Sequence, residues 1–162
     1  MEIIFMRHGK AEDLAIGVSD EKRKLTAKGR KKAEAAARGL AYGLRENTAV
    51  QIWSSPLIRA RQTAEILSES LGGIPVRVHP AIATGNLDVL SADWQLVENE
   101  NEQSVIIVVG HEPYLSMWME RMTGNVLQFK KAGAASLKLS GGEGQLQWYA
   151  APTALACLEP KK

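Results

Sequence analysis

The sequence predicts an α/β fold built on a mostly parallel central sheet, and three observations carry this prediction. Residues 3–6 and 105–109 are apolar runs without polar alternation, typical of parallel strands buried on both faces. Segments with helical periodicity separate the strand candidates, as in βαβ units. Residues 136–149 instead alternate polar and apolar side chains around a glycine-rich turn, which indicates an antiparallel C-terminal hairpin. We therefore expect a single three-layer domain over 1–162, with helices on both faces of the sheet.

The composition excludes several classes of protein. The chain has 162 residues, of which 45% are hydrophobic and 23% charged, as expected for one soluble globular domain. Its net charge of +2 is too small to indicate nucleic-acid binding. Cys157 is the only cysteine, so neither a disulfide framework nor a paired-cysteine metal site is expected. Because no signal peptide or membrane-length apolar run is recognisable, we predict a cytoplasmic protein with no membrane or nucleic-acid partner.

Two helices are predicted in the first half of the chain. Thr26 can cap the first, over 27–44, where alanines and leucines recur at three- and four-residue steps. Ser55 is a favourable N-cap and Pro56 a favourable first helical residue, so a second helix is predicted to continue to residue 71. The polar segment 10–25, before the first helix, is predicted to be a loop.

The remaining elements are shorter. Strands are predicted over 50–53 and 76–78, and helices over 86–97 and 114–122. The polar, acidic stretch 98–102 is predicted to be a loop without a functional role.

Polar side chains follow three of these strands. Arg7 and His8 end the first, Arg59 lies in the first turn of the helix after the second, and His111 follows the strand at 105–109. Each could be structural when taken alone: Arg7 and His8 in a basic turn, Arg59 on a helix surface, His111 as a capping or core histidine. Because the carboxyl ends of parallel strands share one edge, we expect the four side chains to converge on one pocket.

Two arginines and two histidines around one point suit a tetrahedral phosphate dianion. A neutral imidazole can attack phosphorus and form a covalent phosphohistidine, which water then hydrolyses. The arginines would neutralise the phosphoryl oxygens in the transition state, and their charge would lower the pKa of His8. This chemistry requires neither a metal nor another cofactor, and the sequence contains no carboxylate cluster to hold a metal.

Motifs in a fixed order resemble the histidine phosphatase (phosphoglycerate mutase-like) superfamily. They are Arg7-His8-Gly9, Leu25-Thr26-x-x-Gly29, Ser54-Ser55-Pro56-Leu57-x-Arg59-Ala60-x-Gln62-Thr63-Ala64 and Val109-Gly110-His111-Glu112-Pro113. The short chain and the segment Asp20-x-x-Arg23-x-Leu25-Thr26 are similar to the small SixA-type phosphohistidine phosphatases. The resemblance implies that His8 is the nucleophile and that Arg7, Arg59 and His111 complete the phosphate pocket.

The sequence departs from the superfamily pattern at one point. Mutases and many phosphomonoesterases carry a catalytic glutamate after the second helix, whereas residues 79–94 contain only Asp88 and Asp93 as acids. An alkoxide leaving group needs such an acid, but a phosphohistidine imidazole can take up a proton and leave neutral. The gap favours a phosphohistidine of a phosphorelay or phosphocarrier protein as substrate. The alternatives are a small-molecule phosphomonoesterase, with Asp88 or Glu112 as acid, and a non-catalytic phosphate-binding module.

Other charged residues receive weaker predictions. Seven lysines and arginines lie between residues 22 and 32, either as a solvated face or as a patch that guides an acidic partner. Arg61 is predicted to lie on the surface, and His79 to be structural or exposed.

Overall fold

A six-stranded sheet forms the centre of the protein, whose computed structural model describes residues 1–47 and 49–161. The strands are β1 (Glu2–Arg7), β2 (Val50–Ser54), β3 (Val76–Val78), β4 (Val105–Gly110), β5 (Ala134–Ser140) and β6 (Glu143–Ala150). Their order is β3-β2-β4-β1-β5-β6. The first four strands are parallel to one another, whereas β5 is antiparallel to β1 and β6 is antiparallel to β5. Every residue of β4 is buried, which confirms the predicted central parallel strand. Strands β5 and β6 lie at one end of the sheet, which confirms the hairpin predicted at its edge.

Helices cover both faces of this sheet. They are α1 (Ala27–Gly43), α2 (Ile58–Ser70), α3 (Pro80–Thr84), α4 (Leu87–Glu100), α5 (Tyr114–Thr123) and α6 (Pro152–Ala156). One apolar core joins the sheet to α1, α2 and α6, and a second joins its other face to α3, α4 and α5. The predicted three-layer architecture is therefore confirmed. In the part of the chain that the structure describes, no helix has the length and apolarity needed to cross a membrane.

Two predicted helix starts have side-chain N-caps, and the predicted hairpin turn has the backbone conformation expected of glycine. The Thr26 hydroxyl accepts a hydrogen bond from the Gly29 N–H at 2.9 Å and caps α1. Asn86 caps α4 in the same way through the Val89 N–H. The hairpin turns at Gly141 and Gly142, which both have positive φ, as a tight turn between antiparallel strands requires.

The prediction for the start of α2 was wrong by a few residues. The helix begins at Ile58, so Pro56 precedes it and Ser55 is not its N-cap. The Ser55 hydroxyl instead accepts a hydrogen bond from the Leu57 N–H at 3.2 Å, within a bend that precedes the helix. This bend leaves the Ser55 side chain beside the end of β4, where its hydroxyl contacts His111.

Other differences lie in loops. The segment 10–25, predicted to be a loop, contains a short 3-10 helix, Asp20–Lys22. Three residues are too few to show a helical pattern in the sequence. Helix α4 continues to Glu100, through part of the predicted acidic loop, because the chain has no helix-breaking residue before Asn101. The short helices α3 and α6 were missed, although each begins with a proline, a favourable first residue.

Candidate active site

The ends of neighbouring strands bring Arg7, His8, Arg59 and His111 together. Strands β1 and β4 are adjacent and parallel, and the His8 N–H donates to the Gly110 carbonyl at 3.1 Å. The rings of His8 and His111 consequently lie with their centroids 5.1 Å apart. Arg59, from the first turn of α2, places its Nε 3.4 Å from His8 Nε2. Both histidines and Arg59 are buried, which is unusual for groups of this polarity unless they serve a ligand or each other.

The hydrogen bonds of His8 fix the state of its ring. Its Nδ1 lies 2.7 Å from the Gly9 carbonyl oxygen, and because a carbonyl only accepts, Nδ1 must carry the proton. In the neutral ring, Nε2 is then unprotonated, with its lone pair directed toward Arg59 Nε. His8 is thus held in the tautomer and orientation that a nucleophile at Nε2 requires.

Electrostatics keep both histidines neutral. Burial is the main cause that lowers the pKa of His8 from the usual 6.5 to about 3; the hydrogen bond to Gly9 opposes this, and His111, Arg59 and Arg7 lower the pKa further. Burial and the Arg59 charge lower the pKa of His111 to about 4, against a smaller raising effect of Asp20. A group with a lowered pKa loses its proton more readily, so the attacking form of His8 predominates at neutral pH.

Two buried side-chain nitrogens in the described residues lack a hydrogen-bond partner, Arg7 Nε and His111 Nδ1. Arg7 is anchored by its Nη1, which donates to the Phe129 carbonyl at 2.9 Å. His111 is anchored by its Nε2, 2.7 Å from the Ser55 hydroxyl. The Ser55 hydroxyl already accepts from the Leu57 N–H, and His111 Nε2 is the acceptor that the described residues offer its own proton, so we assign the ring proton of His111 to Nδ1. Both orphan groups are therefore N–H donors, and a buried donor without a partner is costly unless a ligand accepts from it.

Asp20 orients the guanidinium of Arg59. Arg59 Nη1 donates to the Asp20 carbonyl at 2.9 Å, and Nη2 donates to its carboxylate at 3.0 Å. With both terminal nitrogens held, the Nε–H is left to face His8. The hydrogen bond from Arg23, reinforced by Arg59, lowers the pKa of Asp20, so this carboxyl group is ionised and unsuited to donate a proton.

The backbone around His8 is braced by α2. The Gly9 N–H donates to the Thr63 hydroxyl at 3.0 Å, and that hydroxyl donates to the Arg59 carbonyl at 2.8 Å. A Cβ at Gly9 would lie 3.1 Å from the Gly29 carbonyl oxygen, a close contact that would require the neighbouring backbone to shift by a few tenths of an ångström. Gln62 accepts from the Leu25 N–H and ties the preceding loop to the same helix. The two residues one turn beyond Arg59 thus support the site.

The carboxylates after the second helix lie away from the histidine pair. Asp88 forms an ion pair with Arg121 at 2.7 Å and lines a separate cavity between α4 and α5. Asp93 is bound by Arg77 at 2.7 Å and by His79 at 3.0 Å. Asp88 is therefore excluded as the general acid that would protonate an alcohol leaving group, which leaves Glu112 of the two candidates that the sequence offered.

Glu112 is the residue that directly follows His111 in the chain. It lines the same cavity as Arg7, and it accepts hydrogen bonds from the backbone N–H and the hydroxyl of Ser116.

Two predictions of a structural role are consistent with the contacts. His79 is buried, and its Nδ1 accepts from the Ala81 N–H to cap α3. Arg61 is exposed and pairs with Glu65 on the surface of α2 at 3.8 Å.

The sequence did not predict two of the contacts that support the site. Asp20 was given no role in it, and Ser55 was predicted only to be the N-cap of the second helix. Asp20 could have been found through its motif with Arg23, whereas the Ser55–His111 contact had no local signal.

A comparison with protein families decides which family this is. The model of the histidine phosphatase superfamily (branch 1) matches residues 3–93, more than half of the chain. The chain belongs to the histidine phosphatase superfamily. Its matched region contains Arg7, His8 and Arg59, while His111 lies beyond it.

Several known proteins are similar to this chain. An uncharacterized protein of Picosynechococcus sp. is 38% identical over 144 residues, which cover 85% of each chain. The structure of the protein histidine phosphatase SixA complexed with tungstate has a TM-score of 0.83 and 27% identity, covering 96% of this chain and 99% of that one. The predicted resemblance to SixA is confirmed. A phosphoserine phosphatase mutant from Entamoeba histolytica in complex with phosphoserine shares the fold, with a TM-score of 0.68, 16% identity and coverage of 95% and 98% of the two chains.

Proposed function

We propose that this histidine phosphatase superfamily member removes phosphate from a phosphohistidine of a phosphorelay or phosphocarrier protein. The observation that carries the proposal is the convergence of His8, Arg59 and His111, together with two buried N–H donors that lack a partner, Arg7 Nε and His111 Nδ1. A phosphoryl group placed there would offer acceptor oxygens to both donors and its phosphorus to the nucleophile. SixA, the similar structure, is complexed with tungstate, which is also a tetrahedral oxyanion.

The reaction proceeds in two displacements. The substrate imidazole first takes up a proton from water on its free nitrogen; His8 Nε2 then attacks phosphorus as the bond between phosphorus and that imidazole breaks, and the imidazole leaves neutral. Arg7 and His111 donate hydrogen bonds to the phosphoryl oxygens, and the Arg59 Nε–H exchanges His8 Nε2 for a phosphoryl oxygen, which frees the Nε2 lone pair. The three side chains stabilise the phosphoryl charge in the transition state. Water then attacks phospho-His8, releasing inorganic phosphate and regenerating the imidazole. Neither displacement calls for a metal or cofactor, and we propose that the enzyme uses none.

The carboxylates favour a phosphoramidate over a phosphate ester. Cleavage of an ester expels an alkoxide, which needs a positioned acid, whereas a protonated imidazole is already a good leaving group. Asp20 is ionised and committed to Arg59, and Asp88 lies at a separate cavity. The site thus supports expulsion of imidazole better than expulsion of an alcohol.

The second candidate is a small-molecule phosphomonoesterase, and Glu112 is the observation in its favour. This carboxyl group lines the cavity that Arg7 also lines, so it could protonate an alcohol bound there. A phosphoserine phosphatase with the same fold illustrates such chemistry on this scaffold, although its likeness extends to the fold alone.

The two candidates are separated by assaying a phosphohistidine-bearing carrier protein and 3-phosphoglycerate side by side. We expect rapid loss of phosphate from the carrier, dependent on His8, and little release from phosphoglycerate. Glu112→Gln should leave carrier dephosphorylation within about threefold of the parent, because imidazole needs no acid. Preferential hydrolysis of phosphoglycerate, abolished in Glu112→Gln, would replace the proposal by the esterase. Phosphate binding without turnover of either substrate would instead support a non-catalytic binding module.

A further inference from the structure

A large basic cavity adjoins the active site. It has a volume of about 760 Å³, and Arg7 and Glu112, the chain neighbours of His8 and His111, both line it. The cavity therefore adjoins the pocket that would hold the phosphoryl group and shares Arg7 with it, whereas His8, Arg59 and His111 are not in its lining.

Five lysines surround this cavity, drawn from three separate parts of the chain: Lys10, Lys28, Lys32, Lys130 and Lys131. All five are exposed, and none forms an ion pair with a carboxylate of residues 1–47 or 49–161. Glu112 is the one acid in the lining, and Ser116 hydrogen-bonds its carboxylate. A positive field is thus concentrated here in a protein whose net charge is only +2.

Part of the lining is apolar. Phe129, Ala132 and Pro152 contribute to it alongside the lysines. Phe129 is also the residue whose carbonyl anchors Arg7, so the cavity wall and the phosphate pocket share one structural support. A surface that combines unpaired cations with apolar patches suits carboxylate side chains on short aliphatic stems, such as glutamate and aspartate.

We infer that this lysine-lined cavity is the docking site for acidic residues that flank the phosphohistidine on the substrate protein. The inference rests on the proposed function and specifies the chemistry of its substrate. Docking there would hold the substrate chain beside Arg7 while its phosphohistidine enters the pocket of His8. Complementary charge of this kind raises the association rate and discriminates against partners with basic surfaces.

Matched variants at the start of helix α1 and in the loop before it test the docking site. Lys28 and Lys32 line the cavity, whereas Lys24 and Lys31 are also exposed lysines nearby but do not line it. The double variants Lys28→Glu/Lys32→Glu and Lys24→Glu/Lys31→Glu change the net charge by the same amount, so they separate local docking from long-range attraction. The substrates are two histidine phosphopeptides that differ only in flanking glutamates or glutamines, with phosphoramidate as the small reference substrate.

We expect the parent to hydrolyse the glutamate peptide with a kcat/KM about tenfold or more above that for the glutamine peptide. The cavity double variant should lose this preference through a raised KM, whereas the matched variant should keep it. Equal kcat/KM for the two peptides in the parent, or an equal loss of preference in both double variants, would overturn the docking site.

A binding measurement separates this inference from the proposed function. The affinities of the unphosphorylated peptides, measured by fluorescence anisotropy, do not depend on turnover. Tighter binding of the glutamate peptide that Lys28→Glu/Lys32→Glu abolishes would support the docking site even if no phosphohistidine is hydrolysed. Turnover of both phosphopeptides with equal affinity for the two unphosphorylated forms would leave the proposed function intact and contradict the docking site.

Discussion

His8→Ala should reduce turnover by a factor on the order of 10⁵ or more, the scale on which loss of a covalent nucleophile acts in other enzymes. The reason is geometric, since His8 Nε2 is the unprotonated nitrogen held beside Arg59, whereas His111 directs its Nε2 to Ser55. Single-turnover release of phosphate from a phosphohistidine-bearing carrier protein measures the loss.

The same variant should still bind inorganic phosphate, because Arg7, Arg59 and His111 remain as donors. Calorimetric titration with phosphate, together with an unchanged thermal unfolding transition, would show that His8→Ala is folded and has an occupied pocket. Activity of this variant near that of the parent would remove His8 from the mechanism.

Arg59→Ala should lower kcat/KM by roughly 10²–10³-fold, or about 3–4 kcal/mol, comparable to the removal of one oxyanion donor. Arg59 contributes a buried positive charge and an Nε–H that points to the reacting centre, and neither is replaced by another side chain. Arg59→Lys should recover only part of the activity, since an ammonium cannot keep both contacts to Asp20 and also face His8.

Arg61→Ala is the matched control for Arg59, because it removes an arginine two positions along the same helix. Arg61 is exposed and pairs with Glu65, a contact of small energetic value. We expect Arg61→Ala to retain parental kcat/KM within about twofold. Similar losses in the two variants would show that Arg59 acts through general electrostatics and not through the placement of its Nε–H.

The centre of the fold was predictable because its strands carry their signal locally. Residues 105–109 form an uninterrupted β-branched run, and that strand lies in the middle of the parallel sheet with both faces covered. The alternation over residues 136–149 likewise matched the antiparallel hairpin at the edge. The helices α3 and α6 are five residues each, too short for a periodic pattern to be distinguished from a turn.

The convergence of the site was predictable for a related reason. Once the sheet is parallel, the residues that follow β1 and β4 must share an edge, so His8 and His111 are brought together by topology. The contacts of Asp20 with Arg59 and of Ser55 with His111 depend instead on the path of two irregular segments. The lysine cavity combines residues separated by more than a hundred positions, which no local pattern links.

The most direct test of the mechanism is to trap the phosphoenzyme and determine which nitrogen carries the phosphate. The parent is mixed with phosphoramidate, quenched in alkali to preserve phosphohistidine, and analysed by peptide mass spectrometry and nuclear magnetic resonance. Because Nδ1 of His8 donates to the Gly9 carbonyl, Nε2 is the ring nitrogen with a lone pair that can attack. We therefore predict a single phosphorylated residue, His8, modified at Nε2. Phosphate on Nδ1 of His8 or on His111, or turnover without any phosphoenzyme, would contradict the mechanism.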